Sequence, residues 1–183
     1  MNLVVGVTGS IAAYKACEIV REFIKAGHNV KVVMTKNACE FVTPLTFRTL
    51  SKNPVAITLF DQEAVDWMPA HIEFANFADA FLIAPCTANV LGKLANGIAD
   101  DALTATFLAC TAPVLIAPSM NVNMWNNAST QANVTLLSER GVYFVDPDSG
   151  ALACGINAKG KLPEPARIAS LAIELAQKNN ITE

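Results

Sequence analysis

Short apolar runs alternate along the chain with stripes at helical spacing. Leu3-Val4-Val5-Gly6-Val7 is continuously apolar and predicts a buried strand. It ends in Thr8-Gly9-Ser10, and Ala12, Ala16, Ile19, Val20, Phe23 and Ile24 follow at helical spacing. Ser10 is placed to cap that helix, and Gly27 to take the left-handed position after it. Asn29 to Thr35 predicts a second strand, completing a βαβ unit. Residues 38–51 read as helical, broken or restarted at Pro44, and Val55 to Leu59 as a short third strand. A loop over 61–70 leads into His71-Ile-Glu-Phe-Ala-Asn-Phe-Ala-Asp79. Phe81 to Pro85 predicts a fourth, buried strand. Cys86-Thr87-Ala88-Asn89 is its turn, and a helix runs to about Asn96, stopped by Gly97. Asp100-Asp101 open a further helix to about Cys110. Val114 to Ala117 is a fifth strand. After Pro118 to Trp125 an amphipathic helix runs to Arg140, stopped by Gly141. Val142 to Val145 is the last strand, residues 146–161 have little regular pattern, and a terminal helix spans about Glu164 to Gln177.

This alternation predicts an α/β domain with a mostly parallel sheet between helix layers. The 183 residues suit one such domain, taken as 1–183. In a parallel sheet the strand C-termini share one edge, where ligands bind. Three of those ends carry similar polar punctuation: Thr8-Gly9-Ser10, Cys86 to Asn89, and Ser119-Met120-Asn121. Thr35 ends a fourth. Convergent hydroxyls and amides without metal-ligand spacing suggest a polar cofactor held by neutral groups and backbone.

Composition narrows the classes. The chain is 52% hydrophobic, which implies a sheet covered on both faces and apolar surface buried against copies of itself. A net charge of −3 with scattered basic residues gives no nucleic-acid footprint. The apolar stretch from Phe107 to Met120 is too short and broken for a bilayer, so no membrane partner is expected. Five widely spaced cysteines form neither a disulfide framework nor a zinc pattern, which fits a reducing cytoplasm.

The first turn admits two readings. A helix N-terminus beside a glycine is an anion site, and phosphate is its common occupant. Gly6-Val-Thr-Gly9 satisfies neither the dinucleotide nor the P-loop fingerprint, so an ordinary strand-to-helix turn also stands.

Taken together, five motifs decide between them. These are Gly9-Ser-Ile-Ala-Ala-Tyr-Lys15; His71-Ile72-Glu73; Ala84-Pro-Cys-Thr-Ala-Asn89 with Lys93-Leu-Ala-Asn-Gly-Ile-Ala-Asp-Asp101; Pro118-Ser-Met-Asn-Val-Asn-Met-Trp125; and Leu152-Ala-Cys-Gly155. In this order the chain resembles the FMN-dependent, homo-oligomeric cysteine decarboxylase flavoproteins, from Gly6 to about Pro165. The resemblance implies a three-layer Rossmann-like fold, FMN near a subunit interface, and trimers that can build a dodecamer. By motif position it places FMN on Gly9, Ser10 and Ile11, on Thr35 and Asn37, on Thr87, Ala88 and Asn89, and near Ser119, with phosphate on the first turn.

The resemblance further implies decarboxylation of 4′-phosphopantothenoylcysteine to 4′-phosphopantetheine in coenzyme A synthesis. FMN would oxidise the cysteinyl thiol to a thioaldehyde, and loss of carbon dioxide would leave an enethiolate. His71 matches the catalytic histidine; the alternative is an interior histidine on a backbone carbonyl. Asn121 matches the asparagine proposed to bind the substrate carboxylate; the alternative is a cap on the helix after it, and one residue can do both. Cys154 matches the cysteine of a substrate-covering loop and would supply a proton, with Ala153, Gly155 and Lys161 also toward substrate. Val90, Ser119, Ala158 and Lys161 depart from the family pattern. Rival expectations are a peptidyl-cysteine decarboxylase of lantibiotic maturation, a non-catalytic flavin-binding regulatory subunit, and a flavodoxin-like electron carrier.

Overall fold

The computed structural model describes residues 1–60, 68–151 and 157–182. Six strands form one parallel sheet: β1 (Asn2–Val7), β2 (Asn29–Met34), β3 (Val55–Ala56), β4 (Ala80–Cys86), β5 (Val114–Pro118) and β6 (Tyr143–Phe144). Their order is β3-β2-β1-β4-β5-β6, so the chain reverses direction across the sheet between β1 and β4. This is the expected Rossmann-like arrangement. The reversal opens a crevice at the strand C-termini.

Side chains alternate across β1. Leu3, Val5 and Val7 face one core with Ala13, Ala16, Val20 and Phe23 of α1 (Ala13–Lys25) and Ile168, Ala172 and Ala176 of the last helix. Val4 faces the other, with Phe74, Phe81, Leu91, Leu94 and Leu103. Both cores are apolar, which explains why β1, β4 and β5 read as unbroken apolar runs. Gly6 belongs to the second face, where a Cβ would come within 3.1 Å of Leu103 Cδ1 and Phe81 Cε2. Its absence lets a helix pack close to the sheet.

The remaining helices are α2 (Lys36–Cys39), α3 (Pro44–Ser51), α4 (Ala70–Phe77), α5 (Ala88–Ala95), α6 (Ala102–Ala109), α7 (Val122–Asn126), α8 (Ala128–Glu139) and α9 (Pro165–Thr182). Gly27 ends α1 at φ +81°, with the His28 N–H donating to Phe23 O at 3.0 Å. Gly97 and Gly141 also take positive φ after α5 and α8. Pro44 starts α3 at its first turn, where its missing N–H costs nothing.

Five local expectations are corrected. Ser10 does not cap α1. Its carbonyl accepts the Ala13 N–H at 2.8 Å, a turn at 11–12 intervenes, and Ala12 takes the cap position. The Ser10 hydroxyl instead accepts the Ala12 N–H at 3.3 Å. Thr35 is the N-cap of α2 rather than the last strand residue, its hydroxyl accepting the Ala38 N–H at 3.2 Å. β3 ends at Ala56, short of the expected Leu59. Asn127 divides the expected single helix into α7 and α8, capping the second through the Ser129 N–H at 2.9 Å. Lastly, the irregular stretch holds an antiparallel pair, β7 (Asp148–Ala151) and β8 (Asn157–Lys161). Neither strand contains a β-branched or aromatic residue, so no strand signal reaches the sequence. The pair is held by tertiary contact: Met120 N–H donates to Gly160 O at 3.1 Å, and the Lys159 ammonium lies 5.9 Å from the Trp125 ring centre. Among the described residues no helix is long and apolar enough to cross a membrane.

Candidate cofactor and substrate site

A cavity of about 530 Å³ opens at the C-terminal edge of the sheet. Gly9 from the end of β1, Thr35 and Asn37 from the end of β2, and Thr87 and Asn89 from the end of β4 all line it. Its size is that of an ordinary small-molecule site. Five of the nine expected cofactor residues therefore converge.

The local geometry follows from the caps. Thr87 begins α5 and its hydroxyl accepts the Val90 N–H at 3.3 Å. A hydroxyl that accepts in a cap still has its proton to donate. Gly9 lies against Asn37 so closely that a Cβ would sit 2.5 Å from Asn37 Cβ and 3.0 Å from its backbone carbon. The turn after β1 and the turn after β2 thus share one wall, which only glycine permits at this position.

The other four expected cofactor residues do not line this cavity. Ser10 and Ser119 meet each other instead, hydroxyl to hydroxyl at 3.4 Å, bridging the ends of β1 and β5. Ile11 is 58% exposed on the turn. Ala88 is the first residue of α5 and lies between two lining residues.

His71 sits in the first turn of α4, outside the cavity lining. Its Nδ1 is buried and, among the described residues, is the buried side-chain nitrogen or oxygen without a hydrogen-bond partner. A buried polar atom left unpaired is costly, and functional groups are where such atoms occur. The interior reading, a histidine satisfied by a backbone carbonyl, is therefore not met at Nδ1. Asn121 is the N-cap of α7, its Oδ1 accepting the Asn123 N–H at 2.8 Å. Lys161 lies on β8 opposite Asp148, away from the cavity lining. Cys154, Ala153 and Gly155 lie outside the described residues.

The cavity also holds charges that sequence reasoning did not assign. Lys93 Nζ meets Asp100 at 2.7 and 2.9 Å, and Asp101 Oδ2 at 3.8 Å. The hydrogen bond from Lys93 holds the Asp100 carboxyl below the usual carboxylate range. Lys36 lines the same space. A signal existed for this cluster. Asn89 and Lys93 are four apart on α5 and so share a face. Asp101 and Thr104 form a capping box that brings the aspartates to the start of α6. Beneath the site, full burial pushes the Cys86 thiol far above its ordinary range, and Sγ donates to Thr87 O at 3.7 Å. Among the described residues no group of three His, Cys, Asp or Glu could hold a metal.

These features fit a phosphorylated ring cofactor. Hydroxyl and amide groups line the space, one wall is cleared by Gly9, Lys93 is paired with Asp100 and Asp101, and Lys36 adds positive charge. The flavoprotein family profile matches residues 1–177. The coenzyme A biosynthesis bifunctional protein CoaBC of Bacillus subtilis (strain 168) is 49% identical over 171 residues, covering 93% of this chain and 42% of its own length. The chain thus spans under half the length of the curated relatives it matches. A solved structure of a PPC decarboxylase cysteine-to-serine mutant, complexed with pantothenoylaminoethenethiol, superposes with a TM-score of 0.85 at 32% identity over 97% of this chain and 98% of that one. The FMN-dependent cysteine decarboxylase SpaF superposes with a TM-score of 0.83 at 31% identity, covering 97% of each chain.

Proposed function

This chain belongs to the flavoprotein family, and from that membership we propose that it binds FMN and decarboxylates 4′-phosphopantothenoylcysteine to 4′-phosphopantetheine, a step of coenzyme A synthesis. Two observations carry the reading: Gly9, Thr35, Asn37, Thr87 and Asn89 converge on one cavity at the sheet's reversal point, and the buried His71 Nδ1, outside that lining, has no hydrogen-bond partner among the described residues. Relatives of the same fold include a PPC decarboxylase and an FMN-dependent cysteine decarboxylase, each above 30% identity.

When bound, FMN would take two electrons from the cysteinyl sulfur, which makes the neighbouring carboxyl able to depart, and would return them after carbon dioxide has left, so that the saturated thiol forms with no outside reductant. The chain does the rest. Gly9, Thr35, Asn37, Thr87 and Asn89 hold the cofactor, with Ser10, Ile11, Ala88 and Ser119 at its margin. The His71 imidazole accepts the substrate proton; its buried Nδ1 has no hydrogen-bond partner among the described residues. The Asn121 side-chain oxygen accepts in the α7 cap, and its amide nitrogen is the chemically suited donor to a substrate carboxylate. Cys154 returns a proton to the product, and Ala153, Gly155 and Lys161 contribute to substrate binding.

We also propose a cytoplasmic homotrimer, or a dodecamer of trimers. Ile11, Tyr14, Leu45 and Phe60 expose large apolar side chains, which association would bury.

The deciding experiment is His71→Asn. The variant should purify yellow with FMN bound and release no carbon dioxide from 4′-phosphopantothenoylcysteine. Unchanged release overturns the assignment of the base, and colourless protein that FMN cannot reconstitute overturns the whole reading. Product analysis of the unaltered protein separates a saturated thiol from the enethiol that a lantibiotic-type decarboxylase would leave.

A further inference from the structure

β2 is apolar except at one interior position. Val30, Val32, Val33 and Met34 are fully buried, yet Lys31 stands among them, beside Val4 of β1. Its ammonium meets Glu73 Oε1 of α4, and the two side chains are only 13% and 18% exposed. The rings of Phe74 and Phe77 flank the same nitrogen at 5.3 and 4.6 Å from their centres. A largely buried ion pair is a poor way to add stability, because desolvation offsets the attraction. An apolar residue would serve a plain strand better. What such a pair supplies is one fixed relative placement of the two elements that carry it.

The element it fixes needs fixing. α4 has eight residues, and its N-cap, Pro69, makes no side-chain cap bond. Its far end is tied: Asp79 N–H donates to Asn2 O at 2.8 Å, and Asn2 N–H to Asp79 Oδ2 at 2.7 Å. Nearer the start, Ala70 and Phe74 give apolar contact, which resists removal from the core more than small rotation. Glu73 and His71 are two residues apart, so they project about 200° from each other around the helix axis. Holding Glu73 toward β2 therefore holds His71 toward the opposite side.

We propose that Lys31 and Glu73 are positioning residues: their pair sets the rotation of α4, and through it the place of the His71 imidazole. The proposal rests on the reading of His71 as proton acceptor, and the test separates the two.

The chain has two histidines, His28 and His71, so nitrogen-15 histidine labelling gives two imidazoles to follow in the FMN-bound protein. His28 serves as the internal reference. The double variant Lys31→Met with Glu73→Gln removes the charges together and leaves no unpaired ion. It should keep its FMN content, shift the His71 ring signals, leave those of His28 in place, and lower kcat by about tenfold or more with KM within about twofold. Lys31→Arg keeps a cation over the rings and should restore both the ring signals and kcat. Glu73→Asp is a milder change that pulls the carboxylate back by one methylene, and it should give a smaller shift in the same sense. Wild-type His71 signals in the double variant or, if that fails to fold, in Glu73→Asp overturn the proposal. A shifted His71 ring with unchanged kcat upholds the positioning role and overturns His71 as the base.

Discussion

The Thr8 hydroxyl accepts the Thr87 N–H at 3.0 Å and donates to the Pro85 carbonyl at 2.7 Å. Thr8 is fully buried, at the point where β1 hands over to the turn carrying Gly9. One side chain thus joins the ends of β1 and β4, the two strands that border the crevice. It sets the spacing between Gly9 and Thr87, both of which line the cavity.

Thr8→Val tests that stitch. Valine matches threonine in shape but pairs with neither group. Leaving the buried Pro85 carbonyl and the partly buried Thr87 N–H without this partner costs about 1–3 kcal/mol. The variant should unfold at lower urea concentration and bind FMN more weakly, measured by quenching of flavin fluorescence. Wild-type midpoint and affinity together would show that the bridge has no part in shaping the site.

Gly9→Ala should act on the cavity more than on the fold. The added methyl would come 2.5 Å from Asn37 Cβ and 3.0 Å from a backbone carbon that cannot swing aside. Asn37 belongs to α2, which Thr35 caps, so relief of the clash displaces two further lining residues. FMN affinity should fall at least about tenfold, roughly 1.4 kcal/mol, while far-ultraviolet circular dichroism stays unchanged. Full affinity in the alanine variant would mean that the wall is softer than its contacts indicate.

The sheet was legible because its strands are buried on both faces, and unbroken apolar runs such as Phe81-Leu-Ile-Ala are the direct trace of that burial. The cavity was legible as far as it lies on strand ends: its lining residues Gly9, Thr35, Thr87 and Asn89 follow from where apolar runs stop. What could not be read depends on distant residues. β7 and β8 carry no strand propensity and are held by Met120 and Trp125, which lie far off in sequence. Ser10 looks like a cap because cap chemistry is local, yet two more residues of turn separate it from α1. The Lys93, Asp100 and Asp101 cluster leaves local traces, the shared α5 face and the Asp101 cap, but its closure depends on how α5 and α6 approach each other, which those traces do not give. Lys31 reads as an ordinary strand lysine until Glu73 and two phenylalanine rings are brought around it.

Cys86 gives the last prediction, a dependence of stability on alkaline pH. Burial beneath the site keeps its thiol protonated well above the ordinary range. In the unfolded chain the same thiol ionises near about 8.5. The sign follows from linkage. The folded-state pKa is raised, so the stabilisation is complete below the unfolded value and is lost as pH rises beyond it. Each such thiol contributes a fall of up to about 1.4 kcal/mol per pH unit in that range. Burial also raises Cys17 and Cys110, so they add to the fall in every variant that retains them. Cys86→Ala should therefore be less stable than the unaltered protein at pH 7, because it leaves a small cavity, but should lose stability more slowly between pH 9 and 10. Urea midpoints across that range measure the difference in slope. Equal slopes would show that the thiol ionises as readily in the folded protein as in the unfolded chain, and would remove it from the buried layer beneath Thr87.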